Sequence, residues 1–237
     1  MSGEKGDVGG GRRLKQRVKS ASGRRASETR WLERHLNDPY VAKARAAGWR
    51  SRAAYKLIEL DDRFHVLRHG QRVFDLGAAP GGWSQVAAQR VGSADGQGKV
   101  VAIDLLDMPS LPGVTFAVMD FMDEGAPDAL IEMLGGRPDV ILSDMAPNTV
   151  GHKKTDHLRI MGVVEAAVDF AIATLQPGGS FVTKVFQGGA ESTVLTALKQ
   201  AFTSVKHVKP PASRAESAEM YLVAKGFRGA KGADLSS

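Results

Sequence analysis

Cysteine is absent from the 237 residues. Neither a disulfide nor a cysteine-ligated zinc can organise this chain, and its composition agrees with a reducing compartment. The six histidines are scattered without metal-ligand spacing, so no metal is expected. No apolar run approaches the roughly 18 residues that cross a bilayer, and the first 25 residues lack the apolar core of a secretory signal. The expectation is a soluble cytoplasmic protein with no membrane partner. Two nucleotide signatures are also missing: there is no glycine-rich Gly-Lys-Ser/Thr phosphate loop and no Gly-x-Gly-x-x-Gly dinucleotide fingerprint. The length suits one α/β domain with a tail left over rather than two full domains.

What is present is charge, unevenly placed. Residues 1–30 hold nine Lys/Arg against three acids, and the remaining 207 residues balance 23 against 23. Residues 1–26 are Gly/Ser/Arg-rich with almost no large apolar side chain. They cannot bury enough surface to offset their ordering entropy and are expected to be a disordered basic arm of the kind that binds phosphate backbones. A solubilising tail is the plainer reading. Residues 228–237 are expected to be a flexible tail.

A second basic patch follows a short helix that Ser27 caps and Asn37-Asp38-Pro39 ends. Lys43, Arg45, Arg50, Arg52 and Lys56 lie on helical segments around Gly48, interleaved with Trp49 and Tyr55. Basic side chains mixed with aromatics suit RNA, which makes Arg50, Arg52 and Lys56 candidate RNA contacts. An ordinary solvated helix face would look the same.

Residues 73–85, Val-Phe-Asp-Leu-Gly-Ala-Ala-Pro-Gly-Gly-Trp-Ser-Gln, join an apolar strand to a helix through a glycine-rich turn. Asp75 falls near the carboxyl end of that strand. Gly77, Gly81 and Gly82 leave backbone that a ligand can approach, and Pro80 favours entry into the helix. A simple connecting turn explains one glycine, not three plus an aspartate. With both pyrophosphate signatures missing, the ligand implied is a nucleoside without a pyrophosphate, and S-adenosylmethionine fits.

Beyond Gly70, strand-like and helical patterns alternate. Near-continuous apolar strands such as Val101-Ala102-Ile103 and Val140-Ile141-Leu142 predict a mostly parallel, doubly wound sheet with helices on both faces. Ligands of such sheets bind beyond the carboxyl ends of the strands. The candidates there are Asp75, Asp104, Asp120, Asp144 and Lys184. Asp104 can accept hydrogen bonds from ribose hydroxyls, and Asp120 can meet an adenine amino group or serve as a turn residue. Asp144 ends a strand in Ser143-Asp144-Met145-Ala146-Pro147-Asn148, a common turn by itself. Lys184 interrupts an apolar strand, either snorkelling to the rim or held in a site. Glu219 alone reads as a solvated acid.

The chain resembles the FtsJ-type ribosomal RNA 2′-O-methyltransferases. The likeness is carried by residues 48–57 (Gly48 to Leu57), 75–85, 143–148, 184–188 and 213–221, in the family's order and within residues 27–227. It implies a single Rossmann-like class I S-adenosylmethionine-dependent methyltransferase domain with a seven-stranded sheet, the helices of residues 27–69 contributing to RNA binding. It places a catalytic Lys-Asp-Lys-Glu tetrad on Lys56, Asp144, Lys184 and Glu219, and cofactor contacts on Gly81, Trp83, Asp104, Asp120 and Asp144. It also implies the substrate, a uridine ribose in the A loop of 23S rRNA on the assembled large subunit, with no obligate protein partner. A monomer is the default. Two departures accompany it: the basic extension of residues 1–26 is long, and Glu216 and Ala218 stand where the family pattern has basic residues.

The reaction so implied is attack of a ribose 2′-oxygen on a sulfonium methyl. The weakly acidic hydroxyl must be oriented and relieved of its proton, or its oxyanion stabilised. Lys184 is the proton acceptor if neutral and an electrostatic stabiliser if charged. Asp144 would orient it, Lys56 would position the ribose or its phosphate, and Glu219 would complete the network. The competing readings are a 2′-O-methyltransferase of tRNA or an mRNA cap with the same tetrad, and a non-catalytic RNA-binding assembly factor. A dehydrogenase is disfavoured for want of the dinucleotide fingerprint.

Overall fold

Strands that are apolar on both sides must be covered on both faces, and here two separate cores do so. The computed structural model describes residues 32–33, 36–147, 153–186 and 192–229. The arm of residues 1–26, the Ser27 cap, Trp31, Asn148, Gln187-Gly188 and residues 230–237 lie outside the described residues. In chain order the elements are α1 (Pro39–Ala46), α2 (Ala53–Phe64), β1 (Arg72–Leu76), α3 (Gly82–Val91), a 3-10 turn (Ser93–Asp95), β2 (Lys99–Asp104) and β3 (Val114–Val118). There follow α4 (Ala126–Leu134), β4 (Val140–Ser143), α5 (Lys153–Thr174), β5 (Ser180–Phe186), α6 (Ser192–Ala201), β6 (Phe202–Val208) and β7 (Glu219–Phe227).

The strands form one seven-stranded sheet in the order β3-β2-β1-β4-β5-β7-β6, parallel except for β7, which runs antiparallel to both neighbours. The order reverses between β1 and β4, as in doubly wound folds. Alternation along each strand sorts side chains between the cores. Phe74, Leu76, Val101, Ile103, Ile141 and Phe181 pack with residues of α4, α5 and α6. Val73, Val100, Leu142, Val182, Tyr221 and Val223 pack with Ala54, Leu57 and Leu60 of α2 and Trp83, Val86 and Ala87 of α3. Leu57, Leu60 and Ile141 are at most 1% exposed, and truncating such a side chain to alanine costs about 2–5 kcal/mol.

The element boundaries differ slightly from the sequence expectations at the ligand rim. β3 stops at Val118, two residues short of Asp120, and β4 stops at Ser143, which pairs with Leu76 and Thr183. Beyond it the neighbouring β1 has turned away at Gly77, so Asp144 hangs past the last rung. Among the described residues no helix is long and apolar enough to cross a membrane.

Candidate active site

Register brings two of the four candidate catalytic side chains, Lys184 and Glu219, to one place. Lys184 of β5 pairs with Tyr221 of β7, and Phe186 pairs with Glu219. Residues two apart share a face, so Lys184 follows Val182 and Glu219 precedes Tyr221 on the side that α2 covers. Because β7 is antiparallel, its first residue arrives at the rim where β5 ends. Lys56 projects from α2 to meet it.

The result is two ion pairs joined by a tyrosine. Lys56 Nζ lies 2.7 Å from Glu219 Oε1, with both side chains at most 15% exposed. Lys184 Nζ lies 3.1 Å from Asp144 Oδ1 and also donates to the Asp144 carbonyl. Tyr221 donates its hydroxyl to Asp144 Oδ1 at 2.7 Å, and Lys56 Nζ sits 5.8 Å above the Tyr221 ring. Burial first, then the charges of Asp144 and Glu219, pushes the Tyr221 phenol well above its ordinary value. The structure therefore brings Lys56, Asp144, Lys184 and Glu219 together. It adds Tyr221 and Ser213, whose hydroxyl donates to Glu219 Oε1 at 2.8 Å. Period-two spacing within β7 is the signal that could have found Tyr221.

Ser213 is delivered by the loop of residues 209–217, which α1 and α2 grip. Asp38 caps α1 through the Tyr40 N–H and pairs with Arg52 at 2.6 Å and Arg214 at 2.9 Å. Glu59 accepts from the Ala212 N–H at 2.6 Å and from the Tyr40 hydroxyl at 3.0 Å.

Next to this cluster, beyond the carboxyl ends of β1, β2 and β4, a cleft of about 630 Å³ opens. Gly77, Asp104, Asp120 and Asp144 line it together with Met119, Phe121, Met145 and, from α5, Arg159 and Val163. Gly77 has φ +76°, and a Cβ there would meet Met145 Cγ at 2.3 Å. Asp104 accepts from the Ala79 and Leu106 N–H groups at 2.9 and 2.8 Å, one on each oxygen, and each oxygen keeps a second acceptor direction. Asp120 Oδ1 accepts from the Met122 N–H at 3.0 Å. Carboxylates at strand ends for hydroxyl and amino groups, and apolar side chains for a purine, fit S-adenosylmethionine. Arg159 on the lip was not anticipated from the sequence, because nothing in its helical spacing marks it.

Other expected contacts are held differently. Asp75 is 1% exposed and does not line the cleft; its Oδ2 accepts the Ser84 hydroxyl at 2.5 Å. Burial, opposed by that hydroxyl and reinforced by Asp144 and Asp104, raises Asp75 to about 7. Trp83 is buried as well, its ring centroid 5.6 Å from that of Tyr221 and tilted 35° to it, with its indole N–H on the Ala53 carbonyl at 2.9 Å. A Cβ on Gly82 would fall 2.3 Å from Ser51 Oγ, and one on Gly81 2.8 Å from Leu111 Cδ1. These two glycines admit neighbouring segments of the chain itself.

Arg50 and Arg52, expected to offer charge to RNA, spend their guanidinium groups within the protein. Arg50 donates to the Pro109 and Ser110 carbonyls at 2.5 and 2.6 Å. Arg52 pairs with Asp38 and donates to the Ala212 carbonyl.

The sequence model of the FtsJ-like methyltransferase family matches residues 49–227. The protein named ribosomal RNA large subunit methyltransferase E in Azorhizobium caulinodans is 62% identical over 218 residues, 92% of this chain and 91% of that one. Its namesake in Rhodopseudomonas palustris is 62% identical over 217 residues, 92% of each. A solved ribosomal RNA methyltransferase of Plasmodium falciparum superposes with a TM-score of 0.67 at 33% identity, covering 77% of this chain and all of that one. With its fold, its cleft and its four-residue cluster, the chain belongs to the FtsJ-like methyltransferase family.

Proposed function

We propose that this protein methylates the 2′-oxygen of a uridine ribose in the A loop of 23S rRNA, with S-adenosylmethionine as donor and the assembled large ribosomal subunit as substrate. The observation that carries the reading is the double position of Asp144, which lines the donor cleft and also holds Lys184 Nζ at 3.1 Å. A donor in the cleft and a hydroxyl at Lys184 are thereby neighbours. The names of the relatives support the ribosomal substrate, which would place the protein in the cytoplasm.

S-adenosylmethionine, when bound, supplies an electrophilic methyl on a sulfonium. The chain's own residues must do the rest. Lys184 Nζ receives the ribose hydroxyl, either accepting its proton when neutral or stabilising the oxyanion when charged. Asp144 fixes where that nitrogen points, and Tyr221 fixes Asp144. Lys56, anchored by Glu219, orients the ribose or its phosphate, and Ser213 anchors Glu219. Asp104 and Asp120 hold the nucleoside part of the donor against apolar walls that exclude water.

The test is methyl transfer from labelled S-adenosylmethionine to large subunits that lack A-loop methylation, followed by mapping of the product. A single 2′-O-methyluridine in the A loop is the expected result. Transfer to tRNA or capped RNA but not to subunits would overturn the substrate and leave the chemistry standing.

A further inference from the structure

Asp75 is buried in β1 two residues before Gly77, which lines the cleft, and the mechanism above gives it no work. Its Oδ2 is satisfied by Ser84 of α3, while Oδ1 is buried with no hydrogen-bond partner. Among the described residues no basic side chain pairs with it; the charged groups that bear on it are Asp144, past β4, and Asp104, at the end of β2. Both of those line the donor cleft. An unpaired buried carboxylate is held in its protonated form by desolvation and by like charges, and a nearby cation reverses that preference.

The two nucleosides that share such a cleft differ by one charge. S-adenosylmethionine carries a sulfonium, whereas S-adenosylhomocysteine is a neutral thioether with the same zwitterionic amino-acid end. We propose that Asp75 is a proton-linked charge sensor that separates donor from product. The sulfonium binds to the form in which Asp75 is ionised and sends one proton to solvent, while the thioether binds without that release. This inference rests on the methyltransferase reading. It gives Asp75 a specificity role exerted by charge from behind the lining residues rather than by touching the ligand.

Asp75 sits at about 7 in the free protein. Donor affinity should therefore strengthen by about tenfold per pH unit as pH rises towards neutrality and level off above it, with product affinity flat throughout. Selectivity for donor over product grows with pH, and product leaves without having to recover a proton.

Calorimetric titration of the full-length protein with each nucleoside, in two buffers of different ionisation enthalpy near about pH 6.5, counts the protons. The expected result is release of most of one proton with S-adenosylmethionine, little with S-adenosylhomocysteine, and none with either in Asp75→Asn. Equal release for both ligands, or release that persists in Asp75→Asn, overturns the proposal. Failure of both nucleosides to bind would instead sink the methyltransferase reading. Should Asp75→Asn not fold, Ser84→Ala keeps the test decisive. Without the hydroxyl that lowers Asp75, the pH of half-release must move upward, and an unmoved midpoint refutes the role.

Discussion

Lys184 and Tyr221 face each other across β5 and β7 and converge on one atom, Oδ1 of Asp144, at 3.1 and 2.7 Å. The lysine reaches it from the strand that ends at the rim. The tyrosine reaches it from the core, where its ring is fully buried against Trp83. Tyr221→Phe keeps that packing and removes one hydrogen bond to a charged acceptor, worth about 1.5–3 kcal/mol. The expected outcome is a lower denaturation midpoint and a reduced kcat with donor affinity intact. Since the phenol is held well above its ordinary value, any basic limb in the wild-type pH–rate profile should survive in Tyr221→Phe. Its disappearance would mean that the tyrosine titrates in the reaction.

Lys184→Ala removes the group assigned to the ribose hydroxyl. Single-turnover methyl transfer should fall by about 10²–10³-fold, while equilibrium binding of S-adenosylmethionine stays near wild type because Lys184 does not line the cleft. Turnover close to wild type would remove Lys184 from the chemistry.

Gly82 offers a test of what the glycine-rich turn is for. An added Cβ meets Ser51 Oγ at 2.3 Å, but Ser51 Cβ and Ala54 N only at 3.4 Å. Ser51 Oγ is itself buried without a partner. Gly82→Ala should destabilise the protein by about 1–3 kcal/mol, and the added change Ser51→Ala should restore most of it. A double variant no more stable than Gly82→Ala alone in urea denaturation would show that the constraint lies elsewhere.

The buried Asp75 sets a pH dependence whose sign is the reverse of a salt-bridged carboxylate. Its ordinary value is 3.8 and its folded value about 7. Below the lower value both states hold the proton and nothing is lost. Between the two the folded state keeps a proton that the unfolded chain gives up, so stability falls as pH rises. Above the upper value the penalty is constant, roughly 4 kcal/mol. Asp75→Asn escapes it. Its stability advantage in the ligand-free protein should grow from pH 4 to 7 and then plateau; an advantage that does not vary with pH would show that Asp75 is not raised in the folded state.

The sheet and its rim were legible because they rest on local signals: apolar strands of the right length, helix-period spacing between them, and acids where strands end. Lys184 stood out because a charge in an apolar strand has few explanations. Where the structure places Arg50, Arg52, Trp83 and Gly82 depends on what packs against each residue, which composition does not carry. Arg50 and Arg52 read as free cations because their acceptors, at 109–110 and at 38 and 212, are distant in the chain. Trp83 and Gly82 sit in a motif that reads as ligand-facing, yet one packs on a tyrosine 138 positions later and the other on the segment before α2. Tyr221 does not stand out in the sequence, because a tyrosine in a strand is ordinary until its opposite number across the ladder is known.

The lone antiparallel strand has a consequence for how the enzyme comes into being. Among the described strands β7 comes last in the chain, yet it inserts between β5 and β6 and carries Glu219 and Tyr221. Among the described residues, those that line the donor cleft end at Val163, so in a chain emerging from the ribosome they precede Glu219 and Tyr221. If Glu219 and Tyr221 act as proposed, the cluster that handles the ribose hydroxyl waits for β7, whereas the residues that would hold the donor precede it in the chain.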